Sequence, residues 1–292
     1  MKNKDGKTLL KGALAAVTAA VSFGIIPVLS KTLVISQMNS KSLIAGQCLT
    51  GAVILFFFLR ARKTSFHLTA AQKRGLALIA AADACTMFLL YESYRFIDVG
   101  VATMAHFMYP VVVVLIMTVI FREKLTPAKL LALIFAIGGM FIMSGVQLGN
   151  AHGVVLALYS GIAYGIYNVA NQKSATRELS PLVINFYNLT ALTVIFTILA
   201  GATGTLTLPA SGAEGLLLFI NGLLKVGGAS LTIYAMQKIG STRTSIISMI
   251  EMVTAIVAGV IVFNEVLQGR QIIGGAGILI GAILVVLGDR SE

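Results

Sequence analysis

The sequence predicts an all-α integral membrane protein: ten transmembrane helices in two inverted five-helix repeats. Three observations carry that expectation. The composition is too apolar for a water-soluble core. The apolar residues fall into ten runs of membrane-spanning length. The two halves of the chain echo one another at a nearly constant offset.

Composition sets the solvent. Of 292 residues, 57% are hydrophobic and 11% charged, and the mean hydropathy is +0.92. A soluble domain has about a quarter of its residues charged. This much apolar surface calls for lipid around it, so the bilayer is the first expected partner. The net charge of +11 could suit nucleic acid. In a membrane chain it reads more simply as basic loops on one face, and no nucleic-acid partner is expected.

The spans follow in order. Lys2, Lys4, Lys7 and Lys11 precede an apolar run that reaches about Val34. That run is longer than the apolar part of a signal peptide, and many spans follow it, so it is read as a first span. The next are roughly 42–59, 75–96, 99–121 and 128–146. The second half gives 153–172, 181–200, 215–236, 244–263 and 272–287. Each is about 16–24 residues, the length that crosses ~30 Å of hydrocarbon as a helix. Connections are short, which leaves no room for a soluble domain.

The repeat is read from matching words. Val119-Ile120-Phe121-Arg122-Glu123-Lys124-Leu125 precedes an apolar run holding Gly138-Gly139. Shifted by 142, Ile261-Val262-Phe263-Asn264-Glu265-Val266-Leu267 precedes the glycine-rich run 274–288. At a shift of 141, Phe23-Gly24 answers Tyr164-Gly165, Gly12 answers Gly153, and Gln47 answers Asn188. This is the pattern of a duplicated block, residues 1–147 and 148–292, together forming one unit.

Charge then sets orientation. With both termini inside, 17 of the 22 Lys and Arg fall on the cytoplasmic side; Lys31, Lys41, Arg95 and Arg270 fall outside, and Lys225 lies in the membrane. The positive-inside bias therefore predicts cytoplasmic termini in a plasma membrane. Five spans per repeat is an odd number, so the second half enters from the opposite side. Inverted repeats of this kind build secondary transporters, with the site near the midplane.

Ionisable residues within spans are few. Asp83 and Lys225 occupy matching repeat positions, 142 apart, and Glu251 matches Tyr109. A charge at the bilayer centre costs roughly 2.5–3.5 kcal/mol, so three cost about 8–10 kcal/mol unless paired or hydrated. One reading is a polar cavity whose charges meet substrate or protons. The other is a structural Asp83–Lys225 ion pair that locks the halves together. His106 is a candidate proton carrier, or a cavity histidine bonded to a backbone carbonyl. Pro110 should kink the fourth span, and its counterpart Met252 predicts no such kink in the ninth. Glu92 lies near the outer end of its span, within reach of water.

Tyr and Asn supply the other polar faces. Tyr164, Asn168 and Asn171 share one helical face, as do Asn185 and Asn188. Tyr faces with carboxylates suit an amine through cation–π attraction. Tyr and Asn faces with Lys225 suit an amino acid or organic acid. Tyr94 and Tyr159 read as interfacial anchors. Gly161-x-x-x-Gly165 and Gly277-x-x-x-Gly281 permit close helix approach, the latter to span five or to a second copy in a homodimer. Cys48 and Cys85 read as small apolar residues. No zinc-spaced cluster, nucleophile elbow or phosphate-binding loop is evident, so neither an enzyme nor a cofactor or metal is expected.

Pro110, Phe121-Arg122-Glu123-Lys124-Leu125-Thr126, the glycine pair, and the second copy at Phe263-Asn264-Glu265 resemble the drug/metabolite transporter superfamily, specifically its EamA-type members. Phe23-Gly24 and Tyr164-Gly165 resemble that family's Trp-Gly pair, with Phe and Tyr in place of Trp. Arg122 and Asn264 stand where Gly often precedes the Glu, and Met252 where a proline follows Glu251. The resemblance spans nearly the whole chain. It implies a ten-helix basket with helices 1–4 and 6–9 around a central cavity. It also implies alternating-access movement of small organic metabolites, often export; the missing phosphate-binding loop leaves a gradient or passive movement to drive it.

The residues expected to face substrate are Glu251, Lys225, Asp83, His106, Tyr109, Tyr167, Asn168, Tyr187 and Asn188, with Glu251 as charged ligand or proton site. The competing expectation is a membrane scaffold or sensor that moves nothing; it requires tightly paired charges, no cavity and a protruding partner surface.

Overall fold

The structure, a computed structural model, describes residues 2–35, 38–93, 95–97, 99–144, 150–263 and 268–287. Tyr94, Arg290, the junction at 147/148 and the motif from Asn264 to Leu267 lie outside the described residues. The described residues form helices and connections, with no strand among them. The first helices are α1 (Lys2–Ile35), α2 (Ser40–Ala61), α3 (Ala70–Ser93), α4 (Val99–His106), α5 (Tyr109–Leu115) and α6 (Pro127–Ser144). They are followed by α7 (Ala151–Lys173), α8 (Pro181–Ala202), α9 (Gly212–Ile239), α10 (Ser241–Ser248), α11 (Ile250–Phe263) and α12 (Gly269–Leu287). Eight segments are long and apolar enough to cross a membrane, and Tyr109–Ile120 and Pro127–Ile142 are shorter apolar helices.

Local chemistry sets several helix starts. The side-chain oxygens of Asn39, Asn150 and Ser211 accept the backbone N–H of Lys41, His152 and Glu214. Pro181 and Pro127 open α8 and α6, where the missing N–H costs nothing. Within the bilayer the remaining N–H groups bond inside their own helix. Phe57, Val119, Ile198 and Ile261 point outward and are 66–73% exposed. In water these side chains would form aggregation-prone patches; against lipid tails they are the expected lining.

The helices pack in pairs: α1 on α9, α3 on α7, α2 on α8, and α6 on α12. In addition α1 packs on α11, while α7 packs on α4 and α5. Two ends result. At one, Lys173 lies over the Phe121 ring, Gln237 donates to the Arg177 carbonyl, and the Tyr187 hydroxyl donates to the Phe66 carbonyl. This end carries most of the basic residues and is called the basic end. At the other, the Lys41 ammonium donates to Thr203, and Phe96 meets His152 edge-on.

Glycines set the closest approaches. A Cβ on Gly161 would lie 2.7 Å from the His106 carbonyl oxygen, and one on Gly165 2.7 Å from Val112. This fixes α7 against the α4–α5 break. A Cβ on Gly281 would lie 2.6 Å from the Ala132 oxygen. Gly277 and Gly281 thus pack on α6 within the same chain.

Two helix breaks appear, one beside Pro110, where a kink is expected, and one where none is. The fourth span is interrupted at Phe107 and Met108, just before Pro110. The ninth is interrupted at Met249, where no kink was expected because Met252 stands in for proline. Met108 (φ −71, ψ −7) and Met249 (φ −62, ψ −15) have almost the same backbone. Both donate to the carbonyl three residues back, and so do Val111 and Met252. These bonds tighten the helix locally, so the break arises from 3₁₀-type bonding and does not need the proline.

Candidate functional site

A cavity of about 170 Å³ lies where the two breaks face one another, large enough for waters or a small organic molecule. Asp83, His106, Tyr109, Tyr167, Asn188, Lys225 and Glu251 line it, seven of the nine residues expected to face substrate. Asn168 and Tyr187 do not line it. Asn168 is 1% exposed, and its Nδ2 donates back to the Tyr164 carbonyl. Tyr187 sits about 100° around α8 from Asn188 and reaches Phe66 at the basic end. The lining also includes Phe23, Gln47, Thr86, Tyr91, Thr103 and Tyr164, which periodicity did not assign to it.

Repeat-related residues meet in the wall. Phe23 faces the cavity with Tyr164, Gln47 with Asn188, Asp83 with Lys225, and Tyr109 with Glu251. Each pair is separated by 141 or 142 positions. Toward the basic end the floor is solid: Leu76, Ile79, Ala170, Ile184, Ile246 and Ile247 are buried there. Leu90, Tyr91 and Thr103 carry the cavity wall toward the opposite end.

The charges are not paired with one another. The Asp83 carboxylate accepts from Asn188 Nδ2 at 2.7 Å. Among the described residues, no N–O contact within 4.0 Å joins Lys225 to Asp83 or Glu251. Neither the Lys225 ammonium nor the Glu251 carboxylate has a hydrogen-bonding partner among them. A buried charge without a partner is costly, so the site calls for a ligand or water. Among the described residues, two amide oxygens in the wall, Gln47 Oε1 and Asn188 Oδ1, also lack donors. Each such acceptor costs about 1–3 kcal/mol until something donates to it. Glu92, by contrast, is ion-paired with Arg95 at 2.5 Å at the rim.

Aromatic rings define one side. Tyr164 and Tyr167 stack at 5.4 Å, and Tyr109 meets Tyr164 edge-on at 4.7 Å. His106 lies 5.3 Å from Tyr164, with Nδ1 3.0 Å from Ser160 Oγ. The Ser160 hydroxyl donates to the Ala157 carbonyl at 2.6 Å. His106 Nδ1 must therefore donate to Ser160, which leaves Nε2 of the neutral ring as an acceptor. Replacing Asn188 with Leu is expected to strip Asp83 of its donor. The expected cost is about 1–3 kcal/mol, read as a lower thermal midpoint of the purified protein.

Among the described residues no group of three or more His, Cys, Asp and Glu could hold a metal ion. Cys48 and Cys85 are free thiols, one buried and one exposed.

A family model described as the EamA-like transporter family matches residues 10–145 and again 151–287. An uncharacterized transporter of Archaeoglobus fulgidus is 29% identical over 217 residues, 72% of this chain and 76% of its own. Human solute carrier family 35 member G1 is 24% identical over 246 residues, 80% of this chain and 67% of its own. A solved crystal structure superposes on 96% of this chain and 98% of its own, with a TM-score of 0.79 at 17% identity. At that identity the likeness speaks for the fold alone.

Proposed function

The chain belongs to the EamA-like transporter family of the drug/metabolite transporter superfamily, and from that premise we propose that it moves zwitterionic amino acids or closely related amines by alternating access. It is a multi-pass membrane transporter of a small molecule. The finer reading rests on one observation: the Lys225 ammonium and the Glu251 carboxylate share one cavity and have no ion-pair or hydrogen-bonding partner among the described residues. A substrate carboxylate meets Lys225. A substrate ammonium meets Glu251, the open amide oxygens of Gln47 and Asn188, and the tyrosine faces.

The architecture proposed for this transport is ten spans in two inverted repeats, 1–147 and 148–292. In it α4 with α5, and α10 with α11, each form one broken span. Two separate family matches support the division. So does the packing pattern. Exchanging the halves turns the α1–α9 pair into α7–α3, and the α1–α11 pair into α7 with α4–α5. The α2–α8 and α6–α12 pairs map onto themselves. Broken helices at a midplane site are the usual device of inverted-repeat transporters.

The basic end is assigned to the cytoplasm of a plasma membrane, with both termini there. The solid floor at that end then makes this an outward-facing state. Export is the direction the family implies, and Glu251 the group that carries substrate charge or a proton. A thermal-shift panel tests the reading. Neutral amino acids are expected to raise the midpoint of the purified protein more than matched amines or organic acids that carry one charge. A larger shift with singly charged compounds would refute the zwitterion assignment.

A further inference from the structure

Two carboxamides in the cavity wall, Gln47 and Asn188, answer one another in the repeat, and so do two charges, Asp83 and Lys225. Asn188 lies on α8 and Asp83 on α3, and these helices pack together. Gln47 lies on α2 and Lys225 on α9, the repeat-related pair, and these pack together as well. Each packed pair therefore carries one carboxamide and one charge, and all four side chains are buried.

The two pairs are used unequally. Asn188 Nδ2 donates to the Asp83 carboxylate at 2.7 Å. Among the described residues, Gln47 Oε1 has no donor and the Lys225 ammonium no hydrogen-bonding partner. Yet the helices that carry them touch at this level. A Cβ on Gly222 would lie 2.9 Å from the Gln47 carbonyl oxygen, and one on Gly51 2.7 Å from Val226. Lys225 stands between Gly222 and Val226, so its side chain starts within a turn of Gln47. A carboxamide suits either charge: its N–H₂ serves a carboxylate, and its oxygen serves an ammonium. The helix packing is unequal in the same sense. α7 packs on α9 and α10, while the repeat-related α1 packs to no such extent on α3 or α4 among the described residues.

We propose that the two bonds exchange during turnover: when the basic end opens, Lys225 donates to Gln47 Oε1 and Asn188 leaves Asp83. The exchange rests on the alternating-access reading with inverted halves, and not on which substrate is carried. In such a cycle each half takes up the conformation that the other had. The α2–α9 contact then acquires the geometry of α3–α8, and the reverse. The bond lost at one charge is offset by the bond gained at the other. This keeps the end states close in free energy, as turnover requires, because a state favoured by about a hundredfold holds nearly all of the protein. Gln47 and Asn188 are then positioning residues, acting on the equilibrium between states as well as on substrate.

The test uses the purified full chain in detergent, without amino acid, in the background Cys48→Ala with Cys85→Ala. One protein carries Ile246→Cys in the floor and a parallel one Thr103→Cys in the wall. The rate of maleimide modification reports how often each region meets water. Asn188→Leu removes the bond of this state and is expected to raise floor labelling by about tenfold or more. Gln47→Leu removes the bond of the other state and is expected to lower floor labelling. The double variant is expected to return near the parent rate, because neither state keeps its bond. Mere loosening of the fold would instead raise labelling in both single variants and most in the double. Asn188→Gln and Gln47→Asn keep an amide and should stay closer to the parent than the Leu variants. Floor labelling that rises in both single variants would overturn the exchange. Labelling that responds to neither residue, in a protein that still transports amino acid in proteoliposomes, would overturn the exchange alone. Such labelling in a protein that transports nothing would overturn the alternating-access reading with it.

Discussion

Replacing Glu251 with Gln is expected to abolish amino-acid-dependent stabilisation and flux while leaving the protein folded. The side chain keeps its length and volume, so packing is spared. What is lost is the only carboxylate in the cavity that no protein donor satisfies among the described residues. A charge-assisted hydrogen bond contributes about 1.5–3 kcal/mol, so affinity should fall roughly 10- to 150-fold. Lys225→Met should do the same from the other pole. Flux into proteoliposomes and the ligand-induced shift of the thermal midpoint are the two readouts. An unchanged shift in Glu251→Gln would mean that the carboxylate faces water alone.

The second large effect is structural. Gly139→Val is expected to separate α6 from α12 and lower the thermal midpoint by many degrees, or prevent folding. A Cβ at Gly139 would run into the Gly274 carbonyl oxygen, with Ile278 N at 2.8 Å and Gly277 C at 3.1 Å. All three are backbone atoms, so no side chain can swing aside. Overpacking costs typically 1–3 kcal/mol where neighbours can adjust, and here they cannot. Its neighbour provides the control, because a Cβ on Gly138 meets nothing within 4 Å. Gly138→Ala should be neutral or stabilising, by up to about 1 kcal/mol of helix propensity. Comparable losses in both variants would contradict the assignment of Gly139 to the α6–α12 contact.

Much of this was legible before any coordinates, for physical reasons that can be named. A chain with so few charges has to spend lipid-facing surface, so helical spans follow from composition. Duplication puts Asp83 opposite Lys225 and Tyr109 opposite Glu251 in sequence, and the fold brings all four into one wall. Periodicity failed where a side chain had a local alternative. Asn168 shares a face with Tyr164, yet its amide turns back to the Tyr164 carbonyl, a bond that helical Asn can make anywhere. Tyr187 and Asn188 are adjacent and stand about 100° apart around α8; Asn188 lines the cavity, while the Tyr187 hydroxyl finds the Phe66 carbonyl instead. Gln47 was visible only as the echo of Asn188. Thr86 and Tyr91 carried no signal, because an uncharged polar residue in a span has many bland uses. The break at Met249 has no proline to announce it, since it is written in backbone hydrogen bonds.

The central claim is a hydrated hollow between the halves, closed at the basic end. Cysteine labelling in intact cells tests it most directly. In a background with Cys48→Ala and Cys85→Ala, single cysteines are placed by Thr86→Cys and Thr103→Cys in the wall, and by Ile79→Cys and Ile246→Cys in the floor. A membrane-impermeant maleimide added outside is expected to modify the two wall positions and to spare the two floor positions. Protection of Thr86→Cys and Thr103→Cys, with labelling of Ile79→Cys or Ile246→Cys, would contradict the account.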